Sequence, residues 1–177
     1  MNKQHEIRLS GSGGQGLILG GIILAEAALI DGNNAIQSQS YGPEARGGAS
    51  KAEVIISTEE IDYPKVEKPD LLLALTEIAY KKYIKNLKDD GVLLVDENVN
   101  IDNIKESIKV IKVPIIHTAT EKIGKSMVAN IVALGAIQEL TKVVTKEALE
   151  TAVLKRVPKG TEELNKKALA AGYDLVI

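Results

Sequence analysis

The sequence contains no cysteine, no phenylalanine and no tryptophan. Without cysteine the chain forms no disulfide, carries no thiolate nucleophile and supplies no ligand to a Cys-bound zinc or iron–sulfur centre. Five tyrosines are its only aromatic residues, so it lacks the interleaved aromatic platform on which single-stranded nucleic acid stacks. A basic excess is missing as well. Lys and Arg number 22 against 24 Asp and Glu, and the lysines are scattered rather than gathered into an arm, which argues against a nucleic-acid partner. No apolar run approaches the roughly 18 residues of a membrane span. The start, Met1 to Ser10, has no apolar signal core, so no membrane and a cytoplasmic location are the expectation. His5 and His117 are the only histidines, and no third ligand stands at a metal-binding spacing from either.

What remains is 177 residues, 45% apolar and 26% charged, enough for one domain over 1–177 with a core of Ile, Val, Leu and Ala. Strand character at 6–10, 34–38, 52–57, 70–75, 92–95 and 110–113 alternates with helical patterns at 17–30, 76–88 and 102–108. That alternation predicts a three-layer α/β/α fold, Rossmann-like. The short connection between the second and third strands makes them an antiparallel pair, so the sheet should be mixed. From Thr118 the chain turns helical. Thr118 and Glu121 fit a capping box opening a helix to about Leu140, apolar nearly all round, which must be buried by the domain core or by a partner. Helices from Thr145 to Val157 and from a Thr161 cap to Gly172 follow.

Gly11, Gly13 and Gly16 satisfy G-x-G-x-x-G after a strand and before a helix. Such a loop turns sharply and aims backbone N–H groups at an anion. A dinucleotide would also need an acidic residue ending the second strand, where this chain has Gln37-Ser38-Gln39-Ser40. The run Gly13-Gly14-Gln15-Gly16 therefore reads as a contact for an anionic group of a ligand or a neighbouring subunit, with close strand–helix packing as the alternative. A second loop, Tyr41-Gly42-Pro43-Glu44-Ala45-Arg46-Gly47-Gly48, offers one guanidinium in a backbone shaped by proline and glycine, which suits a carboxylate or phosphate. Pairing of Glu44 with Arg46 inside the loop is the simpler alternative. Asp96 and Glu97 follow a strand, where ligands of α/β sheets gather. A water-facing strand end is the expected reading of that pair, and a solvated face that of the lysines on the 76–88 helix.

Three runs taken together, Gly-Ser-Gly-Gly-Gln-Gly at 11–16, Gln-Ser-Tyr-Gly-Pro-Glu-Ala-Arg-Gly-Gly at 39–48 and Asn-Ile-Val-Ala-Leu-Gly-Ala at 130–136, resemble the gamma subunit of 2-oxoacid:ferredoxin oxidoreductases. The Tyr41-led second loop is similar to the 2-oxoglutarate type, with pyruvate or a branched-chain or aryl 2-oxoacid as alternatives. The resemblance implies an enzyme subunit that cannot act alone, beside alpha, beta and delta chains, with electrons passing through the complex to ferredoxin. It implies that thiamine diphosphate, iron–sulfur clusters and coenzyme A serve the complex through other subunits, with no cofactor bound by this chain alone. It implies roles for Gly13, Gly14, Gln15, Gly16, Tyr41, Glu44, Arg46 and Gly47 in coenzyme A contact or subunit docking, and no catalytic or metal-ligating residue here. A large exposed apolar surface around the 118–140 helix is a further expectation of that reading. The rivals are a self-sufficient nucleotide-binding protein and a scaffold without a ligand. Asn130 is read as serving a buried backbone group.

Overall fold

The computed structural model describes residues 3–40 and 48–177. Six strands form one sheet in the order β2-β3-β1-β4-β5-β6. They are β1 (Gln4–Gly11), β2 (Asn34–Gln39), β3 (Ser50–Ser57), β4 (Leu71–Ala74), β5 (Val92–Asp96) and β6 (Lys109–Val113). The expected mixed sheet is found. β3 runs antiparallel to both β2 and β1, whereas β1, β4, β5 and β6 are mutually parallel.

Helices cover the two faces unequally. One face carries α1 (Leu17–Ile30), α4 (Ala129–Thr141), α5 (Lys146–Arg156) and α6 (Glu162–Asp174) over Ile7, Leu9, Val54, Leu71, Leu73 and Leu94. The other carries α2 (Glu77–Tyr83), which packs Tyr80 and Tyr83 on Leu72, Leu93 and Val95. The continuous apolar run of β4 follows from this: Leu71 and Leu73 serve one layer, Leu72 and Ala74 the other.

Local chemistry sets the helix ends. The Thr76 hydroxyl accepts from the Ala79 N–H at 3.2 Å and the Thr145 hydroxyl from Ala148 at 3.1 Å, as Ncap residues do. α1 stops where Gly32, at φ 82°, lets the Asn33 N–H reach the Ala28 carbonyl.

Four expectations fail for physical reasons. The 102–108 stretch is not a helix. Ile101, Ile104 and Ile108 keep helical spacing, yet they lie as an irregular segment against α2. Its polar side chains reach across to the turn before β5, Lys105 to the Asp89 carboxylate and the Ser107 hydroxyl to the Asp89 carbonyl, which ties the segment down without a helix. The helix expected over 118–140 is broken. Short α3 (Ile115–His117) continues as a π-helical segment to Ile123, Gly124 turns at φ 81°, and α4 begins only at Ala129. Thr118 is therefore no cap, and its buried hydroxyl has no hydrogen-bond partner among the described residues. Nor does α4 expose a large apolar surface, because α1, α6 and the sheet bury it; of this region Met127 alone stands 73% exposed. Lastly, the Thr161 hydroxyl donates to the Pro158 carbonyl instead of capping, and Gly172 lies inside α6. Gly172 answers to packing, not to chain termination, since α6 crosses α4 backbone to backbone at Gly135.

Candidate functional site at the sheet edge

β1 delivers Gly11 to the edge where the parallel strands end, and the sheet register pairs Gly11 with Ser50, the first residue of β3. The first glycine loop and the return of the second loop therefore leave the sheet side by side. From this edge α1 crosses to one face and α2 lies on the other, the divergence at which α/β sheets open a crevice.

The first loop closes on itself. The Ser12 N–H donates to Gln15 Oε1 at 2.7 Å. That amide fills the space a Cβ on Gly11 would need, so Gly11 and Gln15 are a matched pair. Gly14 and Gly16 sit at φ 84° and 74°, a region L side chains rarely enter. Gly16 is enclosed as well: a Cβ would meet Asn130 Nδ2 at 2.5 Å. Asn130, buried on α4, donates to the Gly16 carbonyl at 3.0 Å, the backbone-satisfying role read from sequence. Gly13 and Gly14 are exposed, and among the described residues, apart from their chain neighbours, no heavy atom lies within 4 Å of a Cβ built on either. One side of the loop is thus locked by Gln15 and Asn130, while on the other the Gly13–Gly14 backbone is uncovered by any of the described residues.

Of the second loop, Tyr41, Glu44, Arg46 and Gly47 lie outside the described residues. Its flanks are placed. Ser40 is buried and its N–H donates to the Lys51 carbonyl. Gly48, at φ 83°, approaches Ile78 of α2. At the start of α2, hydrogen bonds from Lys81 and then Asn100 hold the Glu77 carboxyl below the usual carboxylate range.

Asp96 corrects an expectation. It does not face water: it is fully buried at the end of β5 and accepts the N–H groups of Ile116 (2.8 Å) and Asn98 (3.1 Å) and the Asn98 side-chain amide (3.0 Å). It fastens the turn after β5 to the chain after β6, and Glu97 alone meets solvent. Asp96→Asn replaces one accepting oxygen with an NH2 group facing an N–H donor. Urea unfolding should show a loss of about 2 kcal/mol, the order set by one buried donor left unpaired; an unchanged midpoint would contradict this role.

His5 pairs within β1 rather than preceding it, and His117 Nδ1 stands 3.9 Å from Glu97 Oε1. Among the described residues no three His, Asp or Glu side chains converge as a metal site would require.

Sequence reasoning missed a polar cluster on the α2 face. Arg8 of β1 is buried and reaches Glu53 of β3, Nε at 2.9 Å and Nη2 at 2.8 Å, and donates to the Val66 carbonyl at 3.0 Å. Lys51 joins Glu53 at 2.9 Å, and the Arg8 guanidinium lies 5.5 Å from the Tyr83 ring centroid. The only signal was a charge embedded in each apolar strand; cross-strand register made them partners.

Residues 6–175 match the family described as pyruvate ferredoxin/flavodoxin oxidoreductase. The chain is 54% identical, over 99% of its length and 98% of the relative's, to 2-oxoglutarate synthase subunit KorC of Methanocaldococcus jannaschii. Among solved structures, a keto/oxoacid ferredoxin oxidoreductase gamma subunit of Geobacter sulfurreducens is similar at a TM-score of 0.89 and 53% identity, covering 97% of this chain and 95% of that one. The same fold recurs, at a TM-score of 0.89 and 23% identity, in the 2-oxoglutarate:ferredoxin oxidoreductase of Magnetococcus marinus, where it covers 99% of this chain but 31% of the longer one.

Proposed function

The chain belongs to the pyruvate ferredoxin/flavodoxin oxidoreductase family, and from that premise we propose that it is the gamma subunit of a 2-oxoglutarate:ferredoxin oxidoreductase. The complex converts 2-oxoglutarate and coenzyme A to succinyl-CoA and CO2 while two electrons pass to ferredoxin. The observation that carries this reading is 54% identity, end to end, with a 2-oxoglutarate synthase subunit. The Tyr41-led second loop supports the same substrate.

The chain's own chemistry fits an accessory role. An iron–sulfur cluster needs thiolates, and this sequence has none, so clusters do not fit here and belong, with thiamine diphosphate, to alpha, beta and delta partners. Thiamine diphosphate supplies the electron sink for decarboxylation when bound in those partners. What this subunit offers is a shaped edge. Gly13 and Gly14 present backbone at the start of α1, Gln15 and Gly16 hold that backbone in place, and the sequence adds Tyr41, Glu44, Arg46 and Gly47 between Ser40 and Gly48. We assign this edge to coenzyme A contact, where N–H groups and a guanidinium suit phosphate oxygens.

The test is kinetics of the whole complex carrying Gln15→Ala or Arg46→Ala. The expected result is a KM for coenzyme A raised about tenfold with kcat nearly unchanged, the signature of lost uniform binding. Unaltered coenzyme A kinetics would remove the contact and leave a scaffold. A complex that prefers pyruvate to 2-oxoglutarate in kcat/KM, or a chain purified from its host without partner subunits, would overturn the wider assignment.

A further inference from the structure

A recess of about 650 Å³ opens on the thinly covered face of the sheet, between β1, β3, α2 and the segment leading into β4. Arg8, Lys51, Lys68, Lys82, Lys85 and Tyr83 line it. These cations come from four separate stretches of sequence, so the basic character is a product of the fold and invisible to any scan for a basic run. Two carboxylates oppose them: Glu67 in the wall, and Glu53, which Arg8 and Lys51 already share. Lys68 and Lys85 form no ion pair among the described residues.

Lysines on a solvated face diverge and keep their hydration. Here several converge on one concavity whose floor is a buried guanidinium and the Tyr83 ring, and a low-dielectric wall focuses their field on whatever anion enters. Arg8 is held by Glu53 and by the Val66 carbonyl, so its position is fixed before any ligand arrives and binding need not order it. The volume lies within the range of small-molecule sites. Guanidinium and ammonium groups presented together are the usual partners of phosphate oxygens.

We propose that this recess binds a small diphosphate-bearing anion, of the size of a nucleoside diphosphate or less, with Arg8 and Lys51 at the floor and Lys68 and Lys85 closing on its outer oxygens. The site is defined by side chains of the α2 face and does not rest on the assignment of the glycine-loop edge or on the 2-oxoacid used.

Pyrophosphate is the probe. Titrated into the full chain at low ionic strength, it should shift the amide resonances of Lys51, Val66 and Tyr83, and calorimetry should show the affinity falling as salt screens the lysines. Lys68→Gln with Lys85→Gln, both exposed and without an ion pair among the described residues, should weaken binding about tenfold or more, as loss of charge-assisted bonds does. The control Lys155→Gln with Lys159→Gln should bind as the parent does. No shift at those amides, or equal affinity in the Lys68/Lys85 variant, overturns the proposal. A variant that keeps pyrophosphate affinity but no longer joins its partner subunits also overturns it, and assigns these lysines to a protein interface.

Discussion

Gly172→Ala should destabilise the protein by about 3 kcal/mol, although alanine is the better helix former by about 1 kcal/mol. The sign is decided at the crossing of α4 and α6. A Cβ on Gly172 would overlap the Val132 carbonyl oxygen and stand 3.0 Å from the Gly135 Cα, while a Cβ on Gly135 would overlap the Leu169 carbonyl and stand 3.0 Å from the Gly172 Cα. Both obstacles are backbone, so no rotamer change relieves them and the helices must separate. Separation strips contact from Ile131, Val132, Leu134 and Leu169, all of which are buried. Gly135→Ala should cost a similar amount. Because either change alone opens the same crossing, the double variant should cost clearly less than the sum. Urea unfolding of the three variants measures this, and a stabilised Gly172→Ala would show that helix propensity outweighs the contact. The crossing also bears on the glycine loop, since α4 carries Asn130 to the Gly16 carbonyl.

Arg8→Met should cost about 3 kcal/mol, at the lower end for breaking a buried ion pair. Glu53 would lose both guanidinium bonds, but Lys51 remains beside it at 2.9 Å and limits the penalty. Glu53→Leu alone should be comparably costly, because among the described residues the buried Arg8 would keep only the Val66 carbonyl as a hydrogen-bond acceptor. The double variant Arg8→Met/Glu53→Leu should recover to within about 1 kcal/mol of the parent, since an apolar pair of similar volume avoids desolvating two charges. Lys51, with its side chain 22% exposed, can turn its ammonium to water. A double-mutant cycle with purely additive losses would contradict the pairing.

The fold was legible wherever the controlling interaction is local or periodic. The Gly32 stop of α1, the cap at Thr76 and the doubly buried β4 all depend on residues within a few positions of one another. The antiparallel β2–β3 pair followed from a short connection. Reading failed where distant contacts override local preference. The helical spacing of Ile101, Ile104 and Ile108 is satisfied by packing on α2 without a helix, and Gly172 looked like a stop signal because a glycine kept for a close crossing has the same letter as one kept for a turn. Asp96 was misread for a related reason. Its partners at Ile116 lie 20 residues on, beyond any local pattern.

The site divides in the same way. The glycine spacing at 11–16, the absence of an acidic end to β2 and the lack of any thiolate are properties of the chain itself, and they determined that this is a glycine-loop α/β protein with no cysteine to ligate a cluster. That Gln15 fills the space above Gly11, that Asn130 anchors Gly16 from 114 residues away, and that scattered lysines converge beside Arg8 were decided only by the tertiary structure. Sheet register and helix crossing bring those groups within hydrogen-bonding or Coulombic range, and neither is encoded in the spacing of any single segment.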